Sequence, residues 1–221
     1  MDANIRLWLV MAFMSISAYP CIDCCSCFWP HPQKTFCNSD VVMHAEFLGA
    51  TFTDATDEFY GDYQVITYEI EIVQVFKGSA EIQNLKFIYT STLYYCEYYV
   101  SQSNYNKKYL ITGNMMNGRL EVIHCNYIVL WSQLPEAQKS GFEGAYNCDC
   151  KICYPSECSK DTSSYCTLNW GGDWNPLDSE YSDREEKEQT CERNENGHCT
   201  WQPDDTLLST LSTTLLETTV V

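Results

Sequence analysis

The chain has 221 residues, a formal net charge of −17 and 14 cysteines. So much negative charge repels nucleic acid and anionic membrane surfaces, and neither is expected as a partner. Cysteines this numerous behind a hydrophobic leader read first as a disulfide framework formed in an oxidising compartment.

The leader is the first element. Arg6 gives a positive start, and the apolar run Leu7 to Met14 is too short to span a bilayer, so residues 1–24 read as a signal peptide. No later segment reaches membrane length, and the expectation is a secreted, extracellular protein. Cleavage after Ala18 suits the small-residue preference at such sites. Cleavage after Cys24 makes Cys25 the first residue and leaves twelve cysteines; either cut leaves an even set that can pair completely. The choice matters chemically, because a terminal cysteine has a free α-amine beside its own carbonyl oxygen, and those two atoms can chelate a metal ion.

Residues 25–149 read as one compact β-rich unit. Val41, Met43, Ala45 and Phe47 alternate with Val42, His44, Glu46 and Leu48, the pattern of a strand covered on both faces for part of its length. Thr51 to Tyr63 reads as a loop rich in acidic and aromatic residues. Ile66, Tyr68, Ile70 and Ile72 alternate with Thr67, Glu69 and Glu71, a strand with one buried and one wet face. Leu85, Phe87 and Tyr89 form a third strand, and Tyr109 to Ile111 and Leu120 to Cys125 two more, around the turn signal Asn117-Gly118. Five short strands suggest a small closed barrel, which removes sheet edges. Gln133 to Lys139 is the helix candidate, with Ser132 as its cap and Pro135 in the first turn. The fold class is therefore mainly β with short helices.

From Cys148 to Cys199 the composition changes to seven cysteines and few aliphatic residues. Such a segment buries little apolar surface, so cross-links must substitute for a core. Residues 150–201 read as a small disulfide-rich domain. Within it Glu180, Asp183, Glu185, Glu186, Glu188 and Glu192 form an acidic stretch, read as a solvated loop or as a patch that steers a basic partner. Residues 202–221, rich in Ser, Thr and Leu, read as a flexible tail.

Several motifs in order carry a resemblance. They are Cys25-Ser26-Cys27, His31-Pro32-Gln33, Phe36-Cys37-Asn38-Ser39-Asp40-Val41-Val42, Tyr68-Glu69-Ile70, Phe76-Lys77-Gly78, Tyr89-Thr90, Tyr109-Leu110-Ile111, Trp131 and the closing Cys199-Thr200-Trp201. On these the chain resembles the tissue inhibitors of metalloproteinases, the TIMP family, from Cys25 to Trp201. The resemblance implies an OB-like, netrin-like five-stranded barrel and favours cleavage after Cys24. It also implies six bridges: Cys25–Cys96, Cys27–Cys125, Cys37–Cys148, Cys150–Cys199, Cys153–Cys158 and Cys166–Cys191. Spacing alone leaves the connectivity open.

The resemblance further implies an inhibitory wedge. The amine and carbonyl of Cys25 would take the open position on the catalytic zinc of a target protease. Ser26 would enter the main specificity pocket. Cys27, Phe28 and Trp29 would lie along the primed side of the cleft, and Thr92, Leu93, Tyr94 and Tyr95, tethered through Cys96, along the unprimed side. No cofactor of its own is implied, only contact with the target's zinc. The implied partners are secreted or cell-surface zinc metalloproteases, met by a monomer, with the acidic second domain free to dock on accessory protease domains. The chain departs from the pattern at three places. His44 and Glu46 stand where a basic pair is usual, Pro30 is displaced behind Phe28-Trp29, and Tyr94-Tyr95 are bulkier than common. The long Thr51–Tyr63 segment is either a surface loop or, as the family implies for long versions, a contact with the protease outside the cleft.

Three rival readings have discriminating features. Cys148, Cys150, Cys153, His198 and Cys199 have the residue types of a zinc site, which free thiols would favour. An enzyme would need an unpaired cysteine beside one of His31, His44, His124 or His198. An extracellular netrin-like binding module for matrix or growth-factor partners, without protease inhibition, would need only the barrel and no free Cys25 amine.

Overall fold

The computed structural model describes residues 27, 30–94, 96–154, 158, 162–168 and 189–202. The elements in chain order are α1 (Pro32–Asn38), β1 (Val41–Asp57), β2 (Gly61–Lys77), β3 (Phe87–Ser91), β4 (Lys108–Met116), β5 (Arg119–Glu121), β6 (Ile128–Leu130), α2 (Glu136–Ser140), β7 (Lys151–Cys153), β8 (Tyr165–Thr167), β9 (Thr190–Arg193) and β10 (Cys199–Gln202). The first six strands form one sheet in the order β1-β2-β3-β5-β4-β6, and a further β1–β4 pairing closes five of them into a ring. The mainly β, five-stranded barrel expected from the sequence is thus present, with β6 added outside the ring.

Alternation fills the barrel. Met43, Ala45 and Phe47 of β1 and Ile66, Tyr68 and Ile70 of β2 point inward, where they meet Ile88, Ile111, Leu120 and Val122. Val42 and Leu110 face out of the ring and are covered by Leu134, Phe142 and Tyr146 from the helical segment after β6. β1 is therefore buried on both faces at its start. Its register slips at Val42/Met43, His44/Ala45 and Phe47/Gly49, and such bulges bend a strand and sharpen its twist.

The boundaries differ from the sequence reading in four places. Thr51–Tyr63 is not a loop: β1 and β2 pair without a break from Gly49↔Glu69 to Asp57↔Gly61, leaving a turn at residues 58–60. β1 pairs with β4 over Val41–Glu46 and β2 with β3 over Val65–Glu69, so past Thr53 and Val65 the β1–β2 hairpin leaves the barrel as a two-stranded arm. The helix expected at Gln133–Lys139 is split. Pro135 holds Leu134 extended, so residues Trp131–Gln133 make one 3-10 turn and α2 starts at Glu136 with Pro135, not Ser132, at its cap. The strand expected at Leu120–Cys125 ends at Glu121 and peels away toward the Cys125 bridge. Leu85 closes the 3-10 turn Ala80–Asn84 instead of joining β3. The Asn117-Gly118 signal does make the β4–β5 hairpin turn, with φ of 52° and 77° at the two residues, the paired positive values that Asn-Gly tolerates best.

Past residue 147, β7 pairs in parallel with β8, and β9 pairs antiparallel with β10. Their shared cluster holds Cys150, Cys166, Cys191 and Cys199 with Ile152 and Leu168, so half-cystines make up most of that core.

Candidate functional site

The site expected from the sequence is made from two stretches far apart in the chain, and their anchors lie together at one end of the barrel. Cys27 is bridged to Cys125. The next residue back, His124, donates its backbone N–H to the Cys96 carbonyl at 2.8 Å, and Glu97 and Ile123 form a β-bridge. Cys96 is itself a half-cystine. The segment after Cys27 and the segment before Cys96 are therefore held to the same short stretch, Ile123–Cys125. Thr92, Leu93 and Tyr94 form a 3-10 turn directly after β3. Leu93 N–H is capped by Ser91 Oγ at 3.1 Å. Cys25, Ser26, Phe28, Trp29 and Tyr95 lie outside the described residues, as do the signal segment 1–24, the acidic stretch from residue 178 to 188 and the tail from residue 203 onward.

The arm joins this site through one hydrogen bond that the sequence did not foretell: Gln64 N–H donates to Thr92 Oγ1 at 2.8 Å. Further out, Gln64 Nε2 donates to Asp54 and Thr56 Oγ1 to Asp62, cross-strand pairs on one face of the arm. Asp57 caps the turn by accepting from the N–H groups of Phe59 and Tyr60. That leaves Phe59 88% and Tyr60 64% exposed at the tip. No Lys or Arg occurs from Val41 to Phe76, so the arm is acidic and aromatic throughout.

The motifs that follow Cys27 in the chain are each tied down. His31 Nδ1 accepts from Gln33 N–H at 3.1 Å and so caps α1, with Pro32 in the first turn. At the other end Lys77 Nζ donates to the carbonyls of Phe36 and Cys37 at 2.9 and 2.8 Å, where a cation favours a helix C-terminus. The Cys37–Cys148 bridge fixes the same end. Asp40 accepts from Met115 N–H at 2.9 Å and ties the chain to β4. Tyr68 donates to the Tyr98 carbonyl and accepts from Val100 N–H, and burial pushes its pKa up to about 12.

Of the departures, His44 is buried and stacked on Trp131 at 4.4 Å, and Trp131 in turn stacks on Phe76. Glu46 sits opposite Lys108 in the β1–β4 register. The cysteines of the rival zinc set are otherwise engaged: Cys148 bonds Cys37, Cys150 bonds Cys199 and Cys153 bonds Cys158, with Cys166–Cys191 a further bridge of the second unit. All eleven described cysteines are half-cystines, which leaves no described thiol for an enzyme nucleophile. Among the described residues no helix is long and apolar enough to cross a membrane.

Comparison with known proteins agrees with this arrangement. The family model described as "Tissue inhibitor of metalloproteinase" matches residues 23–201. Among similar proteins, "Metalloproteinase inhibitor 2" of Gallus gallus is 30% identical over 90% of this chain and 89% of its own length. "Metalloproteinase inhibitor 2" of Canis lupus familiaris is 31% identical over 90% of each. "Metalloproteinase inhibitor 3" of Scyliorhinus torazame is 29% identical over 88% of each. The chain belongs to the tissue inhibitor of metalloproteinase family.

Proposed function

We propose that the chain is a secreted inhibitor of zinc metalloendopeptidases of the metzincin type, and that it blocks them through the α-amine and carbonyl oxygen of Cys25 once the leader is cut after Cys24. The carrying observation is the convergence of Cys27 and Cys96 on Ile123–Cys125. With Cys25 bridged to Cys96, the wedge would be tied at two points before any target arrives, which lowers the ordering cost of association. The amine must be neutral to donate its lone pair, and an α-amine has a reference pKa of about 7.7–8.0, so little proton work is needed near neutral pH. Ser26 is short and fills little of a specificity pocket, which favours breadth over selectivity. The relatives whose names describe metalloproteinase inhibition support the same reading.

The test begins with the N-terminal sequence of the secreted protein and an inhibition assay on a small metalloprotease panel. A Cys25 start with slow-dissociating, one-to-one inhibition is expected. Adding one alanine ahead of Cys25, or acetylating its amine, should remove most of the affinity. Unchanged inhibition by the extended protein rejects the chelate. A mature chain starting at Tyr19, with no inhibition, returns the function to the netrin-like binding module.

A further inference from the structure

The His31-Pro32-Gln33 motif does more than start a helix. Gln33 is fully buried. Its side-chain amide reaches into the disulfide-rich unit and pairs with Cys191 as a neighbouring strand would: Cys191 N–H donates to Oε1 at 2.7 Å, and Nε2 donates to the Cys191 carbonyl at 2.9 Å. Nε2 also donates to the Asn147 carbonyl at 2.7 Å. With two carbonyls on one side and one N–H on the other, the network admits a single amide orientation. Asn147 precedes Cys148, whose partner Cys37 ends α1. The loop from Gln33 along α1, across the bridge and back to Gln33 is therefore closed. Its neighbours reinforce it: the His31 ring packs on Trp201 at 5.0 Å, and Lys34 Nζ sits 4.7 Å over the Tyr154 ring. Three residues of one short segment grip three separate parts of the second unit.

We propose that Gln33 is a positioning residue for the inhibitory wedge, coupling the segment that carries it to the disulfide-rich unit around Cys191. The inference rests on the wedge reading above. Gln33 stands six residues after Cys27, which is bridged to the barrel at Cys125. Fixing Gln33 in the second unit limits the directions in which the chain can leave that bridge. Coupling of this kind is reciprocal: if the second unit orders the wedge, a protease on the wedge must tighten the second unit.

The experiment uses the full-length mature protein and the member of the protease panel it binds tightest. Backbone hydrogen exchange at Cys191 is expected to slow when the protease binds. Gln33→Leu is expected to speed exchange at Cys191 in the free protein, to abolish the slowing on binding, and to raise the dissociation rate about tenfold, with association little changed. Gln33→Glu, which keeps the size and one acceptor but presents oxygen to two carbonyls, is expected to do the same. A merely structural glutamine would shift the melting temperature without linking Cys191 exchange to protease binding. Should Cys191 exchange in the unaltered protein ignore the protease, or either folded variant dissociate at the unaltered rate, the coupling is wrong. Failure of the unaltered protein to inhibit would instead reject the wedge reading.

Discussion

His44 shows how one side chain can set a pH limit. It is 7% exposed, stacked on Trp131, and its Nε2 has no hydrogen-bond partner among the described residues. Burial and then the nearby Lys108 charge hold its pKa below the ordinary histidine value of 6.5. The unfolded chain therefore takes up a proton before the folded one does. The contribution is full above the unfolded value and is lost as pH falls through the lower folded value. Melting should thus occur at lower temperature at about pH 5 than at about pH 7.5, and His44→Phe, which keeps a ring against Trp131, should shrink that difference. Calorimetry at the two pH values checks it; an unchanged difference assigns the acid sensitivity elsewhere. Tyr68 works at the other extreme. Its folded pKa is raised to about 12 from 10, so its contribution is present below the unfolded value and disappears as pH rises through the folded one. Tyr68→Phe leaves the buried Val100 N–H without its acceptor, a loss of about 1–3 kcal/mol. Denaturant unfolding at neutral pH measures it, and a cost near zero would mean that water replaces the hydroxyl.

Among the elements, the β1–β2 arm is the one whose role separates from stability. Its tip residues Phe59 and Tyr60 are exposed and lie outside the barrel's core cluster. Yet the arm begins at the Gln64–Thr92 hydrogen bond, at a residue of the proposed wedge. Phe59→Ala with Tyr60→Ala should lower the melting temperature no more than other exposed substitutions do and weaken binding to those proteases that present a surface to the arm, by about tenfold or more if the pair is a hot spot. The acidic arm should also steer association, so on-rates with basic-rimmed targets should fall as salt rises. A double variant that binds every panel member as before would make the arm a bystander. The arm was also the least legible element. Alternation exposes a strand only where one face is buried, and from Thr51 to Tyr63 both faces are wet, so the residues read as a loop although the backbone pairs throughout. The barrel strands were legible because Met43, Phe47, Tyr68 and Ile70 alternate into a single core. α1 was missed because its seven residues show no apolar period; it is held by caps and by Lys77 and Gln33 rather than by an amphipathic face. Gln33 itself was visible as part of a motif, but no periodicity could show that its partners lie more than a hundred residues away.

At the scale of the whole molecule, the described bridges divide into two kinds. Cys27–Cys125 and Cys37–Cys148 join residues 98 and 111 apart and tie the start of the barrel to its end. Cys153–Cys158 spans only 5 and lies within the second unit. If loop closure in the unfolded chain governs their worth, a loop of about 100 residues is worth about 4.7 kcal/mol and a very short one about 2. Replacing Cys37 and Cys148 together with alanine should therefore destabilise the protein by roughly twice as much as replacing Cys153 and Cys158. The two pairs should differ in function as well. Cys37 lies in the last turn of the helix whose first turn holds Gln33, so opening its bridge should free the base of the proposed wedge and speed dissociation from a protease. The Cys153–Cys158 loop meets α1 through Tyr154, over which Lys34 sits, but carries none of the Gln33 contacts, so opening it should speed dissociation less. Unfolding curves and dissociation rates on the two double variants decide together. Equal losses of stability would show that native packing, not loop length, sets the value of each bridge. Equal dissociation rates at unequal stability would show that the wedge is held by the barrel alone.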